Sequence, residues 1–212
     1  MLDRSLKEKG FLAKLLEKGI KILLIKECKK INKVKIEIIS SSTQIIKGEI
    51  QKVNITAEDI NYKNLLFDKF SLEANHLKIK FKLITKELYF KNDPLIKFKI
   101  SLSENSLKTV LFSSDWNFIG NIISKEVLSH DKLDDIKIIN DQLLIINHVS
   151  KGNKTNNQRE KIEIRADKGK IYFNNIINNK IIQIPMEEKI YIENVYIENN
   201  LLNIFGNSSI GF

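Results

Sequence analysis

Residues 44–81 read QIIKGEIQKVNITAEDINYKNLLFDKFSLEANHLKIKF. This stretch holds one Gly and no Pro. Val53, Ile55 and Ala57 alternate with polar residues, and so do Leu77, Ile79 and Phe81. A period of two puts each set on one face of a β-strand. Gly48 stands where a strand can bulge or bend, because Gly accepts backbone angles other residues avoid. Asn64 in YKNLLF is a turn residue, since Asn tolerates the left-handed region.

Outward from this stretch the pattern changes twice. Upstream, Val34, Ile36 and Ile38 share a strand face before SSSTQ interrupts. Earlier still, Phe11, Leu12, Leu15, Leu16, Ile20, Leu23, Leu24 and Cys28 recur at helical spacing. This predicts an amphipathic helix over residues 6–31 with Lys on much of its other face. Such a helix fits either docking on the protein's own core or contact with a membrane surface. Downstream, KNDP predicts a turn and LIKFKISL a strand. Residues 103–131 predict a helix, with Ser103 as N-cap, Glu104 in its first turn and a break at SSD, 113–115. IKIINDQLLIINHV predicts a hairpin about Asn140 and Asp141, and KIEIRADKGKIYF one about residues 167–169. KGNKTNNQRE, 151–160, reads as a polar loop. KIIQIP, KIYIENVYIEN and LLNIFG finish the chain as strands. The order helix, strands, helix, strands predicts one α+β domain over 1–212.

Composition narrows the function. The net charge is +9, yet Lys outnumbers Arg roughly tenfold. An AT-rich genome produces such a bias through its codons. Nucleic-acid recognition favours Arg for bidentate contacts, so no nucleic-acid partner is expected. A Lys-rich surface still suits anionic membrane, where point charge suffices. Cys28 is the only cysteine, which excludes an internal disulfide and a thiolate metal cluster, and it reads as a small core residue. The longest apolar run near the start is 22–25, too short for a secretory signal or a spanning helix. A cytoplasmic protein, peripheral on the cytosolic face of a membrane, is the expectation.

No catalytic pattern emerges. His76, His130 and His148 lack a His, Cys or carboxylate at ligand spacing. Asp134 with Asp135, and Glu187 with Glu188, are strand neighbours that point to opposite faces. Walker, G-x-S-x-G and H-E-x-x-H motifs are absent. Three N-x-[ST] triplets, at Asn54, Asn153 and Asn207, are ordinary in an Asn-rich chain. A non-enzyme with no metal and no cofactor is expected.

The residues of 44–81 carry a family resemblance. Gln44, Ile45, Ile46, Lys47 and Gly48 open the pattern. Ile50, Val53 and Ile55 follow as a strand, and Ile60, Tyr62, Asn64 and Leu65 as a turn. Phe70, Leu72, Leu77, Ile79 and Phe81 form the next strand. This resembles the LmeA-like phospholipid-binding family, in the branch known from photosynthetic bacteria. Asn64 stands where that family has Gly, and Ala74 and His76 where the branch has Gly and Asn. Pro94, Leu102, Glu104 and Leu107, and the closing IYIENVYIENNLLNIFGNSSI with Gly206, extend the likeness over nearly the whole chain. The resemblance implies a strongly curved antiparallel β-sheet wrapped around helices, as in tubular lipid-binding folds. It also implies phospholipid binding without catalysis. The groove residues it suggests are Ile36, Ile38, Val53, Ile55, Leu72, Leu77, Ile79 and Phe81. Lys14, Lys18 and Lys21 are the basic residues expected to face a membrane. The rival expectation is an adaptor module with a filled core that docks on a membrane-protein partner.

Overall fold

The structure is a computed structural model that describes residues 10–82, 87–129, 133–151 and 154–209. Period-two alternation forms β1 (Lys30–Ile39), β2 (Glu49–Tyr62), β3 (Leu65–Lys82), β4 (Glu87–Phe90) and β5 (Leu95–Ser103). The second half adds β6 (Asp135–Ile139), β7 (Gln142–Lys151), β8 (Lys154–Asp167), β9 (Lys170–Asn175), β10 (Lys180–Gln183), β11 (Ile190–Glu198) and β12 (Leu201–Ser209). All pairings are antiparallel. A seven-stranded sheet runs β1-β2-β3-β5-β12-β11, with β4 on the far end of β3; a five-stranded sheet runs β10-β9-β8-β7-β6. The α+β class holds, with the strands divided between two open sheets.

The β2–β3 ladder keeps one register from Glu49↔Lys78 to Tyr62↔Leu65. Its apolar residues nonetheless change parity twice. Ile50 and Val53, like Ala74 and Leu77, are three apart and all buried on the same face. So are Ala57 and Ile60, opposite Phe70 and Phe67. At each level one residue of each strand steps out of alternation: Gln51 with His76, and Asp59 with Asp68. Asp59 (φ 50°) and His76 (φ 54°) absorb the step in the left-handed region, which Asp and His tolerate better than β-branched residues. The paired bulges keep the apolar residues on one face of strands too long to alternate without twisting away. Two-residue turns with positive φ close the hairpins at Lys63–Asn64, Asn140–Asp141, Lys168–Gly169 and Asn199–Asn200.

Among the described residues four helices cover the sheets: α1 (Phe11–Glu27), α2 (Ser42–Ile46), α3 (Glu104–Phe112) and α4 (Asn117–Ile122), the last continuing as a π-helical segment over Ile123–Leu128. The first helix is shorter than 6–31: it ends at Glu27, Cys28 caps it half-buried, and Ile31 belongs to β1. Residues 1–9 lie outside the described residues. SSSTQ is the start of α2, where Ser41 and Gln44 form a reciprocal capping box. Gly48 follows at φ 77°, where a β-carbon would fall 2.2 Å from the Ile79 carbonyl oxygen. Ser103 caps α3 as expected, and the chain breaks after Phe112. There the Trp116 Nε1–H donates to the Lys63 carbonyl at 3.0 Å, which ties the break to the β2–β3 turn. Residues 154–160 are strand, not loop: β8 pairs with β7 out to Lys151↔Lys154. Ladder bonds are made by backbone, so this arm needs no apolar alternation.

Two cores result. Ala13 of α1 packs on Ile36, Ile38, Ile50, Val53, Ile55, Ala74 and Leu77 at one end of the seven-stranded sheet. At the other end Leu102, Ile192, Val195 and Leu202 meet Leu107, Leu111, Ile123 and Val127 of the helices. Ile136, Ile138, Leu143, Ile145, Ile162 and Phe173 of the five-stranded sheet complete that core. The Ile192 N–H donates to the Gly169 carbonyl at 2.9 Å and bridges the two sheets. Along β1, a free sheet edge, Glu17 of α1 accepts the Ile38 N–H at 2.8 Å and blunts the edge.

Glu104 fastens α3 to β6. It accepts the Ile138 N–H at 2.8 Å and ammonium donors from Lys108 and Lys137, each at 3.1 Å. Burial alone would raise this carboxyl. The Ile138 N–H and the two lysines outweigh it and hold the group below the ordinary Glu range. A depressed folded value means that the stabilisation is complete above the unfolded pKa of about 4.3, and is lost as pH falls through the folded value. Glu104→Gln therefore costs about 1–2 kcal/mol at neutral pH. In urea unfolding the gap to wild type closes only below the ordinary Glu range. For the bulges, His76→Gly is expected to keep full stability, whereas His76→Val lowers it by about 1–2 kcal/mol, because a β-branched residue is costly at positive φ.

Candidate functional site

The apolar face of the seven-stranded sheet is wider than its covers. Between α1 at one end and the second core at the other lies an open strip, and it forms a groove of about 400 Å³. Ile55, Ala57 and Ile60 of β2 form part of its floor, with Phe70 and Leu72 of β3 and Ile96, Phe98 and Ile100 of β5. Ile190 and Ser208 continue it onto β11 and β12, and Leu24, Cys28 and Ile31 wall it on the α1 side. From β2 to β11 this crosses four strand spacings, roughly 19 Å. Half the hydrocarbon thickness of a bilayer is about 15 Å, so the groove has the scale of one lipid acyl chain.

Each floor residue gets there by strand register. Ile55 pairs with Leu72, Leu72 with Phe98, Phe70 with Ile100, and Phe98 with Gly206. Gly206 matters because it leaves room. A β-carbon there would fall 2.8 Å from Phe98 Cζ and 2.6 Å from the Tyr191 carbonyl oxygen. Without one, the Phe98 ring lies close against the β12 backbone.

The polar groups around the groove are few. Tyr62 lines its β2–β3 end, with the Lys63 ammonium 5.3 Å from the centre of the Tyr62 ring. The Lys29 ammonium donates to Asn64 Oδ1 at 2.8 Å beside the same turn. Burial, and then the Glu27 carboxylate, push the Cys28 thiol above its ordinary value.

The suggested groove residues divide. Ile55 and Leu72 line the groove. Ile36, Ile38, Val53 and Leu77 do not: they are buried beneath α1, with Ile79 partly buried beside them. They are core because Ala13, Leu16 and Ile20 fill the space above them. Phe81 sits on β3 opposite Leu88, and its side chain lies outside the described residues. Lys14, Lys18 and Lys21 are exposed on α1. Phe70, Phe98, Ile100 and Ile31 were not among the suggested residues. For Phe98 and Ile100 a signal was available in the strict alternation of LIKFKISL, 95–102; Phe70 and Ile31 are placed in the groove only by sheet pairing and by the end of α1.

No family model, curated protein or solved structure matches this chain. Among the described residues, no three His, Cys, Asp or Glu converge as metal ligands, and no helix is long and apolar enough to cross a membrane. His130 lies outside the described residues, as does the side chain of His148.

Cys28 is a reporter built into the groove wall. Its reaction with a small thiol reagent is expected to be slow near pH 8 and to climb above the ordinary thiol range of about 8.5. Stopped-flow reaction rates across pH measure this. Denaturation should return Cys28 to the rate of a free thiol.

Proposed function

We propose that this protein is a non-catalytic phospholipid-binding protein, peripheral to a membrane, that holds an acyl chain in the groove between its two cores. The observation that carries the reading is an open strip on a sheet face whose other parts are sealed. The strip is lined almost wholly by Ile, Leu, Ala and Phe. Binding sites for apolar ligands are concave, apolar and of a few hundred cubic ångströms, with a small number of polar groups at the rim. Lys29 and Lys63 stand at the Tyr62 end, where a lipid phosphate would emerge from the sheet. Each methylene buried contributes about 0.8 kcal/mol, so a chain that fills the groove needs no further specific contact to bind. The sequence resemblance of residues 44–81 to LmeA-like lipid binders points the same way.

Native mass spectrometry of protein purified without detergent tests it. The expected result is a population carrying one phospholipid mass, and protection of Cys28 from alkylation in that population. Ile100→Trp, which fills the groove from β5, should reduce binding of a fluorescent fatty acid at least about tenfold while the protein stays folded. A bare mass, together with no fatty-acid binding by the wild type, overturns the proposal.

A further inference from the structure

Helix α1 has two apolar faces, and its own sheet uses one. Ala13, Leu16, Ile20 and Leu24 face the core. Phe11, Leu15 and Ile22, at i, i+4 and i+11, form a second stripe on the opposite side of the helix. They are 77%, 55% and 67% exposed. By the same spacing Lys14, Lys18 and Lys21 flank the stripe on one side together with exposed Ile25, and Lys26 flanks it on the other.

The charges are sorted. Glu17, one of two carboxylates in α1, is turned to the sheet and accepts the Ile38 N–H. The other, Glu27, falls by helical spacing between Leu16 and Ile20 on the sheet side. The outward face thus carries four lysines and no carboxylate. None of the four has a carboxylate partner among the described residues. On the polar face of the seven-stranded sheet two lysines are paired, Lys33 with Glu58 and Lys52 with Glu73. An apolar stripe bordered by uncompensated lysines complements an anionic lipid surface, with the side chains in the acyl boundary and the ammonium groups at the phosphates.

We propose that the outward face of α1 seats the protein in the plane of an anionic bilayer through Phe11, Leu15 and Ile22, and turns the groove toward that bilayer. The orientation follows from the fold. The helix and the open strip lie on the same side of the seven-stranded sheet, so the surface that receives α1 also faces the groove. Leu24 and Cys28, at the end of the docked helix, are the groove wall. The orientation rests on the groove being the lipid site; the docking does not.

Vesicle flotation of the full chain separates the two. The probes are phosphatidylcholine vesicles and the same vesicles with about one third phosphatidylglycerol, at low salt. Wild type is expected to float with the anionic vesicles, to float poorly with the neutral ones and to be released by salt. Phe11→Ser with Leu15→Ser and Ile22→Ser, all at exposed positions, should lower binding at least about tenfold with unchanged circular dichroism, and so should Lys14→Glu with Lys18→Glu and Lys21→Glu. The groove variant Ile100→Trp should float as wild type does. Failure of wild type to float, or flotation of the α1 variants at wild-type level, overturns the docking. A wild-type dimer in sedimentation that the serine variant abolishes assigns the stripe to a second copy and also overturns it. Flotation without any lipid in the groove leaves the docking standing and removes the groove. Lipid in the groove without flotation does the reverse.

Discussion

The structure depends on one constraint: an antiparallel sheet with a single apolar face must have that face removed from water. Here the face is six main strands wide. One helix covers about two or three strands, because α1 spans the β1 edge and reaches as far as Ala74 and Leu77 on β3. The five-stranded sheet, with α3, α4 and the π-helical segment, covers the other end around Leu102, Ile192, Val195 and Leu202. Neither cover reaches Phe70, Leu72, Phe98 and Ile100 completely, and these residues are half-buried. The groove is thus a consequence of width, with no special loop or motif needed to make it. Apolar floor left to solvent is unfavourable, and an apolar ligand lying on it would relieve that cost.

The paired bulges of β2 and β3 are what keep the face single. Strands of 14 and 18 residues twist too far for strict alternation to hold one direction. At Asp59 with Asp68, and at Gln51 with His76, the parity resets without loss of register. Remove a reset and the residues beyond it turn to the polar side. Ile60 and Phe67 would leave the floor at one end, and Ile50 and Leu77 the α1 core at the other. The two positive-φ residues, Asp59 and His76, therefore act on the site from outside it.

These facts also explain what the sequence revealed. Alternation at Val53–Ala57 and Leu77–Phe81 identified strands, and Asn64, Asn140 and Asp141 marked turns that the structure closes with positive φ. The helix break at 113–115 was visible because Ser and Asp compete for backbone hydrogen bonds. Apolar spacings of three, such as Ile50 to Val53, carried the bulges but resemble noise in a period-two reading. The β7–β8 arms were hidden because backbone ladders need no apolar side chain, and KGNKTNNQRE offers none. Sheet order was hidden too. Ile36, Val53, Phe98 and Ile100 look alike as strand residues, and only the placement of α1 sorts core from groove.

The same placement unites the two halves of the functional reading. The proposed lipid binding calls for an apolar cavity and a way to approach the membrane, and these demands conflict if they use different sides of the molecule. Here they do not. Glu17 and the Ala13 face hold α1 on the sheet, which leaves Phe11, Leu15 and Ile22 pointing the same way as the open strip. An acyl chain would travel from bilayer to groove past the end of α1, at Leu24 and Cys28, without crossing the polar face of the sheet. On that face Lys33 and Lys52 are neutralised by Glu58 and Glu73, and Lys99 lies 4.7 Å over the Phe205 ring. Among the described residues the outward lysines of α1 have no carboxylate partner, whereas Lys33 and Lys52 on the opposite side of the sheet do.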